Sequence, residues 1–411
     1  MVIIDEGKLG LNSARGEFIS AIPCAAIVGE PNKNHWINTM KFPLHFFHLN
    51  AFRLLRLSLF PLFILASTLS VADDAWQNSN GWWNETDIPA FDKSKITQQL
   101  LLVKVQGNKF VDTNGKTLVF RGLNISDPDK IARDKRFTKK HFEVIKSWGA
   151  NVIRVPVHPS AWRKHGKKAY LAMLDQAVIW ANELGMYVII DWHSIGNLKS
   201  QMFQNNSYYT DRAETNDFWR TVSERYAGVN AVAFYEIFNE PTVFNGRLGM
   251  VSWAEWKAIN EEIITVIQAH NPAAISLVAG FNWAYDLTPV ATAPIERTNV
   301  AYVSHPYPMK VGAPYEKNWE RDFGFIADKY PVFATEIGYQ LATDKGAHIP
   351  VIDDGKYGKR ITDYFDSKGI SWVGWVFDPD WSPQMFTDYK TYEPTMQGKH
   401  FREVMLRDNH K

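Results

Sequence analysis

Residues 234–241 read FYEIFNEP, an apolar run that ends in Asn239-Glu240 and is held against Pro241. With Val232 and Ala233 in front, the run has the β-branched and aromatic character of a buried strand. The same form recurs along the chain. Strand-like runs fall at Asn151–Val157, Tyr187–Asp191, Val232–Phe238, Ile275–Ala279, Val300–Ser304, Val332–Thr335 and Trp372–Val376, and a first strand near Leu118 makes eight. Helical patterns lie between them: Leu171, Leu174, Val178 and Ala181 share one helical face, and Gly185 stops that helix. Ser252-Trp253-Ala254-Glu255 has the S-x-x-E form of a capping box and opens a helix running toward Asn271-Pro272. Gly149, Gly185 and Gly369 punctuate helix-to-strand joins. Ahead of all this, residues 101–124 alternate apolar and polar residues around Gln106-Gly107-Asn108 and the Asn114-Gly115 turn. That pattern predicts a β-hairpin leading into the first strand, which ends near Asn124.

Strands alternating with helices imply a parallel sheet, and both an open doubly wound sheet and a closed barrel satisfy the pattern. The strand ends decide between them, because a barrel collects its chemistry at the carboxyl ends of many strands. Here Arg154 sits inside NVIRVPV and His193 in IIDWHS. Asn239-Glu240 closes the opening stretch, His305 and Tyr307 lie in VSHPYP, Glu336 in FATEIG, and Trp375 in WVGWVF. The expected fold is therefore α/β: a single (β/α)8 TIM barrel with an N-terminal β-hairpin, occupying residues 99–411. Taken singly, an Arg closing a strand is an ordinary ion-pair partner and a Glu before a proline an ordinary helix start. Their placement at successive strand ends is what points to a site.

Two carboxylates on separate strands facing one pocket are what glycosidic-bond cleavage needs. One arrives protonated and gives its proton to the leaving oxygen, while the other is ionised and attacks or stabilises the anomeric carbon. Like-charge repulsion across a short gap lets such a pair share one proton near neutral pH.

In this set of residues and their order the sequence resembles glycoside hydrolase family 5, the cellulase family of retaining enzymes, from about Gly122 to the C-terminus. The resemblance implies Glu240 as acid/base and Glu336 as nucleophile. It further implies that Asn239 bonds the 2-hydroxyl of the sugar under attack and that Arg154 and Tyr307 hold the Glu336 carboxylate. His193 and His305 would line the cleavage subsite, with Trp375 as its floor. The expected activity is that of an endo-β-1,4-glucanase on β-linked glucan. β-Mannanase, xyloglucanase and exo-β-glucosidase activities are alternatives on the same barrel, and a catalytically silent polysaccharide-binding barrel is the alternative of another class. The DWHS and EIFNEP wording favours cellulases over mannanases.

Further aromatics stand where a cleft would continue: Trp162 after the second strand, Trp283 and Tyr285 after the fifth, Phe377 and Trp381 after the eighth. Each is a candidate sugar platform, with core packing the competing reading; Tyr208 and Tyr209 are weaker candidates. The chain has 16 tryptophans, and its net charge of +1 gives no electrostatic case for nucleic acid. Cys24 is the only cysteine, which excludes a disulfide framework and a cysteine metal site. Asp127-Pro128-Asp129 and Asp353-Asp354 fall short of a calcium loop's ligand number. No metal or cofactor is expected, and a monomer is.

From Met40, residues Lys41, Arg53 and Arg56 precede the apolar run Leu57–Leu69, which Pro61 interrupts, and Ser70-Val71-Ala72 follows. This is the build of a signal peptide over residues 40–72, too short for a comfortable membrane span. The expected location is secreted or periplasmic, with membrane contact only through that segment. Residues 1–39 read as an upstream extension from a start-site error. Residues 73–98 carry Trp76, Trp82 and Trp83 and are expected to pack on the barrel.

Overall fold

The computed structural model describes residues 88–409. The upstream extension, the signal-like segment, and Trp76, Trp82 and Trp83 lie outside the described residues. Eight strands run parallel in chain order: β1 (Arg121–Ile125), β2 (Val152–Val157), β3 (Tyr187–Trp192), β4 (Val232–Glu236), β5 (Ile275–Ala279), β6 (Val300–Val303), β7 (Val332–Ile337) and β8 (Ser371–Phe377). β8 pairs with β1 through Trp372–Arg121 and Gly374–Leu123, which closes the barrel. At the β1–β2 seam the staves approach so closely that a Cβ on Gly122 would lie 1.8 Å from the Val152 carbonyl oxygen.

Because both faces of each strand are covered, the strands are apolar almost throughout. Val152, Ile189, Phe234, Leu277, Val303, Phe333 and Val373 point into the barrel. Val155, Ile190, Tyr235, Val278 and Tyr302 point outward to the helices. The helix with the predicted capping box spans Trp253–His270, with Ser252 and Glu255 exchanging both capping bonds and Asn271 at its C-cap. Leu171, Leu174, Val178 and Ala181 are all buried on the helix Pro159–Glu183, which Gly166 interrupts with a non-helical φ of 73°. Gly149, Gly185 and Gly369 adopt φ of 94°, 67° and 67° at their joins, a region that favours glycine.

Leu118 is not on the first barrel strand. It belongs to a three-stranded antiparallel meander, Lys104–Gln106, Lys109–Val111 and Thr117–Leu118, and β1 begins just beyond it at Arg121. Phe110 of this meander packs edge-on against Phe234 of β4 at 5.2 Å and touches Phe333 of β7 at 6.0 Å. The meander is thus a plug at the amino-terminal end of the barrel, and it leaves the carboxyl end open. Residues 88–98 lie against the outer helices: Phe91 packs on Tyr226, and the Thr97 and Gln98 amides donate to Asn182 Oδ1.

Two departures from regular pairing shape the carboxyl end. Between β7 and β8 the register shifts at Ala334/Ile337, and between β8 and β1 at Gly374/Phe377. Such irregularities re-aim side chains beside active sites. On β7, Phe333 points in and Ile337 out, and Glu336 joins Thr335 on the inside. On β8, Val373 points in but Phe377 has turned out into the helix-facing core.

Candidate active site

Arg154, fully buried midway along β2, is the hub of the site. Its Nε and Nη2 donate to the Glu236 carboxylate at 2.7 and 2.9 Å, and Nη1 donates to Glu336 Oε1 at 2.9 Å. Asn239 Oδ1 accepts from Nη2 at 2.6 Å, Asn124 Oδ1 from Nη1 at 2.9 Å, and Asp191 Oδ2 lies 3.0 Å from Nη2. Burial opposes its charge, but Asp191, Glu236 and Glu336 outweigh burial and hold its pKa above the ordinary range. Strand alternation supplies these partners: Glu236 follows Phe234, Arg154 follows Val152, and Asp191 follows Ile189 on the inward face.

Glu336 has both oxygens occupied, Oε1 by Arg154 and Oε2 by the Tyr307 hydroxyl at 2.7 Å. On balance its pKa is raised, by burial first and by Glu240 nearby, against the pull of His305, Arg154 and the Tyr307 bond. Glu240 follows β4 and its Oε1 meets His305 Nδ1 at 3.0 Å. On its other side His305 Nε2 meets Thr335 Oγ1 at 2.9 Å, and that hydroxyl donates to Glu236. Burial works against the imidazolium, yet Glu336, Glu236 and Glu240 together raise the His305 pKa to about 9. Oxygens of Glu240 and Glu336 and a nitrogen of His305 all lie within 4.8 Å of one another. These three could serve as metal ligands, but Glu336 already spends both oxygens on Arg154 and Tyr307.

His193 closes the site at the end of β3. Its Nδ1 meets Asp191 Oδ2 at 2.6 Å, and burial, with His158 and Arg154 nearby, pushes its pKa well below the ordinary value. These surroundings favour the neutral imidazole. Its ring lies parallel to that of Trp375, 3° apart at 5.3 Å, and Trp375 stacks in turn on Trp381 at 6.0 Å. The Trp381 loop is fastened by Asp378, which accepts from the Asp380 and Trp381 amides, Ser126, Lys130 and Tyr389. All eight predicted residues, Arg154, His193, Asn239, Glu240, His305, Tyr307, Glu336 and Trp375, converge here, and all but Arg154 and His305 line one cavity of about 700 Å³.

The extra aromatics divide. Trp283 lines the same cavity, and Trp381 stands beside it. Trp162, Tyr285 and Phe377 do not offer a face to a sugar. Trp162 is 4% exposed and packs between Tyr170 and Phe218. Tyr285 donates to Asp322 from a buried position and meets Phe323. Phe377 is fully buried among Trp148, Phe386 and Tyr392. Tyr208 stacks on His158 at the cavity wall, and the exposed Tyr209 carries Arg163 over its ring. The site also holds Asp191, Glu236, Asn124, Thr335, Phe244 and Lys310, which the reading of strand ends passed over.

The sequence matches the family described as Cellulase (glycosyl hydrolase family 5) over residues 111–380. An endoglucanase of Thermobifida fusca, E-5, is 27% identical over 289 residues, which cover 68% of this chain and 56% of that enzyme. The chain thus spans about half the length of the curated relatives it matches. Among solved structures, a β-glucanase of Saccharophagus degradans superposes with a TM-score of 0.78 at 48% identity, covering 80% of this chain and 100% of that one. The same β-glucanase has also been solved in complex with cellotetraose.

Proposed function

Since the chain belongs to glycosyl hydrolase family 5, the cellulase family, we propose that it is a retaining endo-β-1,4-glucanase acting on β-linked glucan by double displacement. The observation that carries this reading is the carboxylate pair. Retaining pairs stand about 5–5.5 Å apart and inverting pairs roughly 6.5–9.5 Å, to leave room for a water. Glu240 and Glu336 bring oxygens within 4.8 Å.

In the first step a Glu336 oxygen attacks the anomeric carbon while Glu240 gives its proton to the departing glycosidic oxygen. In the second, Glu240 takes a proton from water, whose oxygen displaces Glu336 and restores the β-configuration. Arg154 and the Tyr307 hydroxyl, each bonded to one oxygen of Glu336, favour the ionised form that a nucleophile needs, while burial opposes them. Two cations, Arg154 and His305, face Asp191, Glu236, Glu240 and Glu336. Burial, with Glu236 alongside, drives the Asp191 pKa well above its ordinary value despite Arg154. Esterification of Glu336 removes a negative charge beside Glu240, which favours Glu240 acting as base toward water in the second step.

Glucan as substrate is supported by the β-glucanase and endoglucanase relatives. Endo action is supported by aromatic rings on both flanks of the pair, Trp283 and Phe244 on one and Trp375 and Trp381 on the other. Secretion through residues 40–72 belongs to the same proposal, and N-terminal sequencing of the exported protein tests it.

The mechanism is tested with Glu240→Ala and Glu336→Gly in the presence of azide. Removing the acid/base lowers turnover by about 10²–10⁴-fold. Azide then yields a β-glycosyl azide with Glu240→Ala and an α-glycosyl azide with Glu336→Gly. Undiminished turnover in either variant overturns the assignment. Fragments of many lengths from carboxymethylcellulose indicate endo action; release of a single short product from chain ends refutes it.

A further inference from the structure

The line from Glu240, just after β4, to Glu336 on β7 divides the rim of the barrel. β5 and β6 lie on one side of it, and β8, β1, β2 and β3 on the other. His193, Trp375 and Trp381 belong to the second side, where the family resemblance puts the sugar under attack. The first side therefore receives the part of the chain that departs. Its wall is built from Phe244, Trp283 and Lys310, with Gln204 reaching over from the loop after β3.

Lys310 is the lysine that lines this cavity among the described residues. It makes no ion pair among the described residues, although it lines the cavity that holds both glutamates. Its Nζ donates to the Asn282 carbonyl at 2.8 Å and stands 4.9 Å from the centre of the Trp283 ring. An ammonium has three donors and no acceptor, so Asn282 leaves the others free to point at a ligand. Burial lowers the Lys310 pKa to about 8, against the pull of Glu240 and Glu336. Independently, the backbone beneath it is strained. Asn282, Trp283 and Ala284 adopt φ of 56°, 55° and 58° in succession, a conformation that such residues rarely take. Strain of this kind persists where the surroundings over-determine it, and it collects at ligand clamps. Here it presents the Asn282 carbonyl to Lys310 and sets the Trp283 indole against Gln204 and Phe244. Phe244 in turn is 41% exposed at the cleft.

We propose that Lys310 is the specificity-determining group of a leaving-side subsite, where its ammonium donates to the hydroxyls of the first glucosyl unit beyond the bond that is cut. Phe244 and Trp283 supply the apolar surface beside that unit. The proposal rests on the glucanase reading and refines it: substrates with a sugar on the departing side are favoured over those with any other leaving group.

The test compares Lys310→Met and Lys310→Arg with the unaltered enzyme on cellopentaose and on nitrophenyl β-cellotrioside, in which nitrophenol takes the place of the departing sugar. Lys310→Met lowers kcat/KM on cellopentaose about tenfold, chiefly through KM, and on the aryl substrate less than about threefold. Lys310→Arg recovers at least about threefold of the loss on cellopentaose, because it restores a cationic donor. Equal losses on both substrates, full activity of Lys310→Met on cellopentaose, or an Arg variant no better than Met each overturn the proposal. Hydrolysis of the aryl substrate by all three proteins reports the carboxylate pair alone and keeps the two readings apart.

Discussion

Asn239 spends its side-chain oxygen on Arg154 and leaves Nδ2 buried with no partner in the protein. A buried donor left unmade costs about 1–3 kcal/mol, so the free enzyme holds this group in reserve. The 2-hydroxyl of a bound sugar would satisfy it. Asn239→Ala is expected to lower kcat/KM on aryl β-glucosides by about 10²–10³-fold, in the range found for losing one preorganised donor. On the matching 2-deoxy substrates the same substitution should cost far less, since the hydroxyl is already gone. Similar losses on both would remove Asn239 from that role. Arg154 answers to a different measurement. Arg154→Leu leaves Asp191, Glu236 and Glu336 facing one another in a buried site, and a loss of about 3–5 kcal/mol in denaturant stability is expected from breaking such a pairing. At this scale the sequence was most informative about residues at strand ends. Glu236 and Asp191 were also within reach of period-two alternation, because each follows an inward apolar residue by two positions. They were passed over because a carboxylate inside a strand, read alone, has no visible partner. Only the closed barrel brings Arg154 to both.

At the scale of elements, the strands were legible to within about two residues, and the exceptions have physical causes. Strict alternation along β8 from Val373 and Trp375 would put Phe377 in the cleft as well. The register shift at Gly374/Phe377 turns it into the core. On β7 a shift at Ala334/Ile337 works the other way, placing Thr335 and Glu336 together on the inside. Pairing irregularities depend on two strands at once, and one strand's sequence does not announce them. Trp162 and Tyr285 were misplaced because an aromatic just past a strand can turn toward the cleft or back under a helix. Phe218 and Asp322, far along the chain, decide which. Trp162→Ala and Trp375→Ala should therefore part company. The first is expected to cost about 3–5 kcal/mol of stability as a core truncation. The second, at a partly buried ring that faces the cavity, should move the denaturant midpoint less than the first and raise KM for cello-oligosaccharides. If Trp375→Ala destabilises as much as Trp162→Ala, its ring is core and not floor.

For the molecule as a whole, two buried histidines pull stability in opposite directions with pH. His141, enclosed by Phe142, Phe377, Phe386 and Tyr392, has its pKa lowered by burial from 6.5 to about 3. Its contribution is complete above 6.5 and is lost as pH falls toward 3, because the unfolded chain then binds the extra proton. His305 is shifted the other way, to about 9, so its contribution is complete below 6.5 and fades as pH rises through 9. The thermal midpoint should thus peak near pH 6.5, where both contributions are present. His141→Gln makes the acid limb shallower, with His193, whose pKa burial also lowers, still contributing to it, and His305→Gln flattens the alkaline one. Limbs that stay parallel to those of the unaltered protein would show that other groups set the profile.

The plug at the foot of the barrel also orders events in time. Phe110 belongs to the first strands of the described chain, and one of the rings it closes against, Phe333, is made more than half the described length later. Until that ring emerges from the ribosome, the floor is only partly seated, on Phe120 and Phe234. A nascent chain cut short before β7 should stay open to protease, and one that includes β8 should not. The floor is laid first and fastened last, so the barrel commits to its shape only when nearly the whole chain has been made.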